Sequence, residues 1–361
     1  MKSSSTQENP LGILPVNQLL ARFAIPSIIA MLVSALYNIV DQFYIGRSVG
    51  MLGNAATNVA FPLTITCTAI SLMCGIGGAA NFNLSLGSGE KEEATRYAGN
   101  AVFMLAAIGI LLCLTVRLMI VFGATPDVLD YSLTYTGITS LGFPFLILTT
   151  GGSNLIRADG SPRFSMMCTL TGAVLNTILD PLFIFGFHMG MAGAALATII
   201  GQIISGIMVI VYLTRLKTVH LSLGSLVPVP SHMKAIAALG MAPFFNQMAM
   251  MVVQIVMNKS LKHYGSLSVY GEAIPIACAG IITKVNQVFM SFIIGISQGL
   301  QPIVSFNYGA GNYKRVKHGY IRAISYGFAL SIIAFLLFQF APHQLISIFG
   351  NGSEEYFNFG I

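Results

Sequence analysis

Apolar residues run through this chain in long, nearly unbroken blocks, separated by short stretches of charge, Gly and Pro. Nine blocks can be drawn, at roughly 19–45, 55–86, 98–123, 131–156, 164–187, 191–213, 235–258, 273–305 and 320–349. About 20 apolar residues rising 1.5 Å each cross the roughly 30 Å of hydrocarbon in a bilayer. The pattern therefore predicts nine membrane-spanning helices in an all-α polytopic membrane protein. Composition agrees: of 361 residues 55% are hydrophobic and 8% charged, and the mean hydropathy of +0.78 is outside the range of soluble domains. The lipid bilayer is the first partner this implies. Residues 1–18 are polar, with no apolar core or small-residue cleavage site, so no cleaved leader is expected and the first span directs insertion.

The net charge of +6 raises the question of nucleic acid until the basic residues are located. With the N-terminus inside, thirteen of the eighteen fall on the inner side: Lys2, Arg22, Lys91, Arg96, Arg157, Arg163, Arg215, Lys217, Lys234, Lys314, Arg315, Lys317 and Arg322. Arg47, Arg117, Lys259 and Lys262 fall outside. The excess is an orientation signal, giving a cytoplasmic N-terminus in a cell membrane and no nucleic-acid partner. The five cysteines lie in apolar runs without metal-like spacing and read as packing thiols, and the six histidines form no HExxH pair.

Two stretches repeat. GGAANFNLSLGSG (77–89) aligns without gaps on GLQPIVSFNYGAG (299–311), and both precede a charged loop. Pro26 pairs with Pro243 and Asp41 with Asn258, both offset by 217. The Pro-containing interruption after the sixth span reads as a linker, so the expected organisation is a six-helix bundle over 1–215, a cytoplasmic linker over 216–233 and a second bundle over 234–361. A parallel repeat of this kind suits two bundles rocking about a site between them. FGATPDVLDY (122–131) matches FGNGSEEYFN (349–358), the loop before each half's fourth span. The second bundle is thus expected to stop after its third helix, as in a fragment or truncated product of a twelve-span chain.

Two carboxylates lie inside spans, where each costs about 2.5–3.5 kcal/mol at the bilayer centre and less toward an end. Asp41 shares a helical face with Ser34 and Asn38, bordered by Tyr37. Asp180 follows Asn176 by four residues and precedes Pro181, which frees the carbonyl of Thr177. Thr198, Gln202 and Ser205 stripe the sixth span. If spans one, five and six pack together, Asp41, Asn176, Asp180 and Thr198 form an oxygen-rich cluster. Such ligands suit a hard cation such as sodium, and buried carboxyls suit a proton; the residues do not choose between them. Lys284, with Asn286 and Gln287 nearby, either lines a central cavity or balances charge. Glu272 is expected in a solvated outer loop. Gln298 and Gln301 flank Pro302 and are expected to satisfy the interrupted helix. LGSGEKEEATR lacks the GxxxxGK[ST] of a phosphate loop, so no nucleotide, cofactor or enzymatic site is expected.

These segments, taken in order, resemble the multidrug and toxic compound extrusion (MATE) transporters along nearly the whole chain. The resemblance rests on IPSIIAMLVSALYNIVDQFYIG, LGSGEKEEA, LIRADGSPRFSM, LNTILDPLFIFGF, MAGAALATIIGQ and GISQGLQPIVSFNYGAGNYKRV. It implies a MATE-type pair of six-helix bundles acting as an antiporter: organic cations or amphipathic drugs leave, H+ or Na+ enters, and antibiotic resistance follows. It implies an ion site at Asp41, Asn176, Asp180 and Thr198, cavity groups at Tyr37, Tyr135 and Asn154, and a bend of the first helix at Pro26. Asn38, Gln202 and Lys284 join the cavity candidates, and a monomer is expected. Two rivals are weighed. A flippase for lipid-linked oligosaccharides, of related fold, would favour a strongly cationic cavity, for which only Lys284, Arg47 and Arg117 are candidates. An intramembrane aspartyl protease would need a GxGD-like motif, whereas Asp180 stands in ILDP.

Overall fold

The fold is described from a computed structural model over residues 9–48, 51–120, 126–269, 271, 273–347 and 358–360. Glu272 and the segments 122–125 and 349–357 lie outside these residues. The described residues contain helices and connections and no strand. A short α1 (Pro10–Ile13) leads into α2 (Val16–Ser48), followed by α3 (Met51–Ser88), α4 (Lys91–Ile120), α5 (Pro126–Thr139), α6 (Phe143–Ala158), α7 (Pro162–Pro181) and α8 (Gly190–Leu213). After the connection come α9 (Pro230–Ser266), α10 (Ala273–Gly309), α11 (Tyr313–Phe340) and the short α12 (Pro342–Ser347). Nine stretches among the described residues are long and apolar enough to cross a membrane. We call the end holding Val16, Ser88 and Pro230 the near end, and the opposite end, holding Ser48 and Ser266, the far end.

Proline interrupts several helices without ending them: Pro26 in α2, Pro62 in α3, Pro243 in α9 and Pro302 in α10. Each removes one backbone donor, a loss that neighbouring helices can absorb inside a membrane protein. The fourth expected span is not one helix. It divides into α5 and α6 at a 3-10 turn, Ser140–Gly142, with Pro144 at the start of α6. Gly142 suits the break, because a Cβ there would lie 2.2 Å from Gln202 Oε1. The fifth span also changes geometry, passing from α7 at Pro181 into a π turn, Leu182–Gly186.

In the first half α2 packs on α7, α7 on α8, and α3 on α4 and α6. The second half joins it through α9 on α3 and through α10 on α2 and α3. Glycines allow these contacts: a Cβ on Gly77 would stand 1.9 Å from Ile236 O, and one on Gly240 would stand 1.9 Å from Met73 O. Small residues of this kind let membrane helices approach backbone to backbone where no hydrophobic force drives them together.

The segment between α8 and α9, which reads from its composition as a linker, is tied to the first half. Asp159, 2% exposed, accepts hydrogen bonds from Tyr212 Oη (2.9 Å), Lys217 N (2.7 Å), Thr218 N (3.0 Å) and Thr218 Oγ1 (2.5 Å). Asn100 Oδ1 accepts from Val229 N at 2.7 Å, and its amide donates to Val227 O at 3.3 Å. His232 at the start of α9 lies 2.7 Å from Glu93 on α4, with the Tyr97 ring 4.6 Å from the imidazole.

Candidate ion and transport site

The two intramembrane acids meet toward the far end. Asp41 is seven residues from the end of α2, Asp180 six from the end of the π turn, and Thr198 eight from the start of α8. At 1.5 Å per residue each sits about 10 Å inside its helix terminus. The α2–α7 and α7–α8 packing brings them together, and the carboxyl groups of Asp41 and Asp180 are close neighbours. Asn176 Nδ2 donates to Asp180 Oδ1 at 3.4 Å and to Thr198 Oγ1 at 3.2 Å. Thr198 in turn donates to Ala194 O at 3.0 Å. Asp180 is fully buried and Asn176 nearly so, whereas Asp41 and Thr198 are half-buried.

Several acceptors here have no donor. Asp41 Oδ1, Asn176 Oδ1 and Asp180 Oδ2 are buried without a hydrogen-bond partner, as is Gln202 Oε1 one helical turn beyond Thr198. A buried carboxylate must be paired, protonated or bound to a cation, because desolvation without compensation is costly. Two neighbouring carboxyl groups cannot both be bare anions cheaply. The orphaned oxygens therefore match a shared proton or a small hard cation in chemical type, and the donors fixed by Asn176 orient them. Among the described residues no cluster of three His, Cys, Asp or Glu could hold a transition metal.

The tyrosines complete the surroundings. Tyr135 lies near Thr198 and Asp41, and Tyr37 near Asp41 and Asn38, whose amide donates to Ser34 O at 2.7 Å. One helical turn toward the far end an apolar layer covers the acids: Ile45 is four residues beyond Asp41, Ile184 four beyond Asp180, and Ala194 four before Thr198. With Met191 these form a buried cluster against Tyr44 and Tyr135. Beyond the layer lies a cavity of about 770 Å³ whose lining includes Arg47, Thr134, Ile184, His188 and Met191.

Of the cavity candidates, Tyr37, Asn38, Tyr135 and Gln202 border this cluster. Asn154 does not. It is buried at the near end, where its Oδ1 accepts from Arg157 Nη2 at 2.6 Å and its amide donates to Thr150 O at 3.0 Å. Arg157 also donates to Ser165 Oγ at 3.0 Å. Pro26 is buried in α2, fifteen residues from Asp41 and about 22 Å along the axis. Lys284 is half-buried on α10. Sequence reasoning passed over Thr136, fully buried with its Oγ1 unpartnered beside Tyr135. It also passed over the Glu93–His232 contact, which no spacing announces because 139 residues separate the partners.

Comparison with known proteins bears on this geometry. The sequence profile of the MatE family matches residues 26–182 and 243–357. The multidrug export protein MepA of Staphylococcus haemolyticus is 27% identical over 341 residues, covering 92% of this chain and 73% of that protein. MepA of Staphylococcus saprophyticus is 28% identical, with 91% and 72% covered. Among solved structures, the outward-facing conformation of a multidrug resistance MATE family transporter of the MOP superfamily superposes with a TM-score of 0.86 at 22% identity, covering 99% of this chain and 78% of that one. A MOP superfamily transporter from Pyrococcus furiosus, described as having a binding pocket of reverse polarity, superposes at 0.87 with 21% identity, covering 100% and 79%. At these identities the structures establish the fold, while the profile spans most of the chain in both halves. Membership follows from that match: this protein belongs to the MatE family, the multidrug and toxic compound extrusion transporters, and is a membrane transporter rather than an enzyme.

Proposed function

We propose that this chain is a secondary active antiporter that exports amphipathic drugs, organic cations among them, in exchange for H+ or Na+ held between Asp41 and Asp180. The observation that carries the reading is the meeting of the two acids with Asn176 and Thr198, with acceptor oxygens left unpartnered. The staphylococcal relatives named as multidrug export proteins support the substrate class. A bound ion removes the repulsion between the carboxylates and favours tight α2–α7 packing, whereas an empty pair favours separation. Drug export couples to ion entry if drug binding prefers the arrangement in which the acids are vacated, since only a difference in affinity between two states links the fluxes. Tyr37, Asn38, Tyr135 and Gln202 border the pathway in this reading, and Pro26 is where α2 bends.

The near end is cytoplasmic in this proposal, following the basic residues. There the two halves meet through Gly77 and Gly240, and through Asn81, whose amide donates to Ala235 O at 3.2 Å. The unit is a single chain whose halves, 1–215 and 234–361, rock about these contacts. Efflux of a fluorescent drug from proteoliposomes, under sodium and proton gradients imposed separately, tests the function. One gradient should drive export in the wild type, and Asp41→Asn should abolish it at normal expression. Gradient-independent leakage, unchanged in Asp41→Asn, would reject the assignment.

A further inference from the structure

The ion site uses Asp41 and Asp180, and among the described residues Lys284 is a cation deep within a span that this site leaves unexplained. Helices α2 and α10 run antiparallel in close contact, and two glycines fix their register. A Cβ on Gly299 would be 2.5 Å from Ala24 N, and one on Gly295 would be 2.5 Å from Ile28 Cγ1. Moving four residues along one helix therefore matches four residues back along the other. Lys284 precedes Gly295 by eleven residues, and Ile39 follows Ile28 by eleven. Lys284 thus stands level with Ile39, about 3 Å along the axis from the level of Asp41. Eleven residues are also close to three helical turns, so Lys284 lies on the face of α10 that Gly295 turns toward α2.

Burial marks where the pair opens. Ala35 on α2 is still 3% exposed, whereas Asn38 and Gln42, one and two turns farther, are exposed. On α10 Gln287, one turn from Lys284, is exposed as well. Lys284 is half-buried at the floor of this opening. The salt bridges recorded among the described residues join Glu93 to Arg96 and to His232, and none reaches Lys284. Asp41 and Asp180 lie in the α2–α7–α8 packing, next to each other. An ammonium group at this depth is costly unless something pairs with it. On the sides of the two helices nearest Lys284 the polar side chains are Asn38 and Gln42 of α2 and Gln287 of α10, all neutral amides.

We propose that Lys284 recognises the charge of the transported substrate, and that this chain prefers amphipathic molecules carrying one carboxylate over analogues in which that carboxyl is esterified. The inference rests on the transport reading, and narrows its substrate class. A single ammonium flanked by amides matches one carboxylate, one charge-assisted bond plus hydrogen bonds around it. A lipid-linked diphosphate would call for several cations at the same place. A substrate lacking the acid leaves Lys284 unpaired as it enters the desolvated cleft, and the resulting discrimination is larger than an apolar wall supplies.

The test is equilibrium binding to the full chain in nanodiscs, read by fluorescence anisotropy, with a rhodamine carboxylic acid and its methyl ester as probes. Wild-type protein should bind the acid more tightly. Lys284→Gln should weaken the acid by about ten-fold and leave the ester within about two-fold, while Lys284→Arg should keep the preference. Equal effects of Lys284→Gln on both probes, or none on either, would overturn the proposal. If Lys284→Gln does not fold, Lys284→Arg and Lys284→Met decide: preference kept in the first and lost in the second supports it, and any other pattern overturns it. Failure of the transport reading is separate, because it appears as no gradient-driven flux of either dye in wild-type proteoliposomes.

Discussion

Helices α2 and α9 begin the two halves and share a layout, with Pro26 matching Pro243 and Asp41 matching Asn258, yet they treat their polar residue in opposite ways. In α2 the acid turns into the α7–α8 packing, meets Asp180 and is left with a buried unpartnered oxygen. In α9 the amide is exposed and satisfied within its own helix, by Gln254 Nε2 at 3.1 Å. One half carries the proposed ion pair of acids, and the other carries a neutral amide at the matching position. Duplicated architecture does not imply duplicated chemistry. The difference visible in the two helices is one carboxyl group, packed against α7 and α8 in the first, where the second carries an exposed amide.

Breaking the acid pair should have the largest effect. Asp180→Asn and Asp41→Asn should each reduce ion-driven export in proteoliposomes at least about ten-fold, because one amide cannot share a proton or cation with the remaining carboxylate as its partner did. Normal flux in both variants would show that the asymmetry between the halves is not functional.

Next comes the contact that lets the halves meet. Gly77→Leu or Gly240→Leu places a side chain where even a Cβ would be 1.9 Å from a backbone oxygen. The expected cost is about 1–3 kcal/mol from forced separation of α3 and α9. Thermal unfolding in detergent should fall for both. Gly280→Leu, with nothing within 4 Å of its Cβ position, should serve as a neutral control.

A smaller loss is expected from His232→Ala. Glu93 is 38% exposed in its side chain and already paired with Arg96 at 3.6 Å, so water can replace much of the interaction. About 1 kcal/mol or less should be lost, seen as a slightly broader near-end distance distribution between spin labels on α4 and α9. The smallest effect belongs to Asn258→Asp. An acid there stands on an exposed face of α9, apart from Asp41 and Asp180, and transport stoichiometry should not change when ion flux and drug flux are measured together.

The spans and the polar positions of the first half were legible because length, hydropathy and i,i+4 spacing are local properties. Asn176 and Asp180 lie one turn apart on any helix, so their shared face could be read before their partners were known. The packing of α2 against α7 had to be supposed, since Asp41 and Asp180 are 139 residues apart. The split of the fourth span was hidden because Phe143 and Pro144 sit in an apolar run, and the close approach of Gln202 to Gly142 is a contact between distant parts of the chain. The segment after α8 reads as a linker from its polar and proline content, and its contacts with Asp159 could not be read because the partners lie 58 and 59 residues apart. Asn154 and Asn38 look alike in sequence. Arg157, three residues after Asn154, ties that amide into the near end, while Asn38 remains exposed.

Ion uptake by the purified chain tests the account most directly. Proton uptake followed with an indicator dye, and sodium binding followed by isothermal titration, should detect one ion bound per chain in the wild type. That uptake should vanish in both Asp41→Asn and Asp180→Asn and persist unchanged in Asn258→Ala. Wild-type uptake in both acid variants, or its loss in Asn258→Ala, would contradict an ion held between the two acids of the first half.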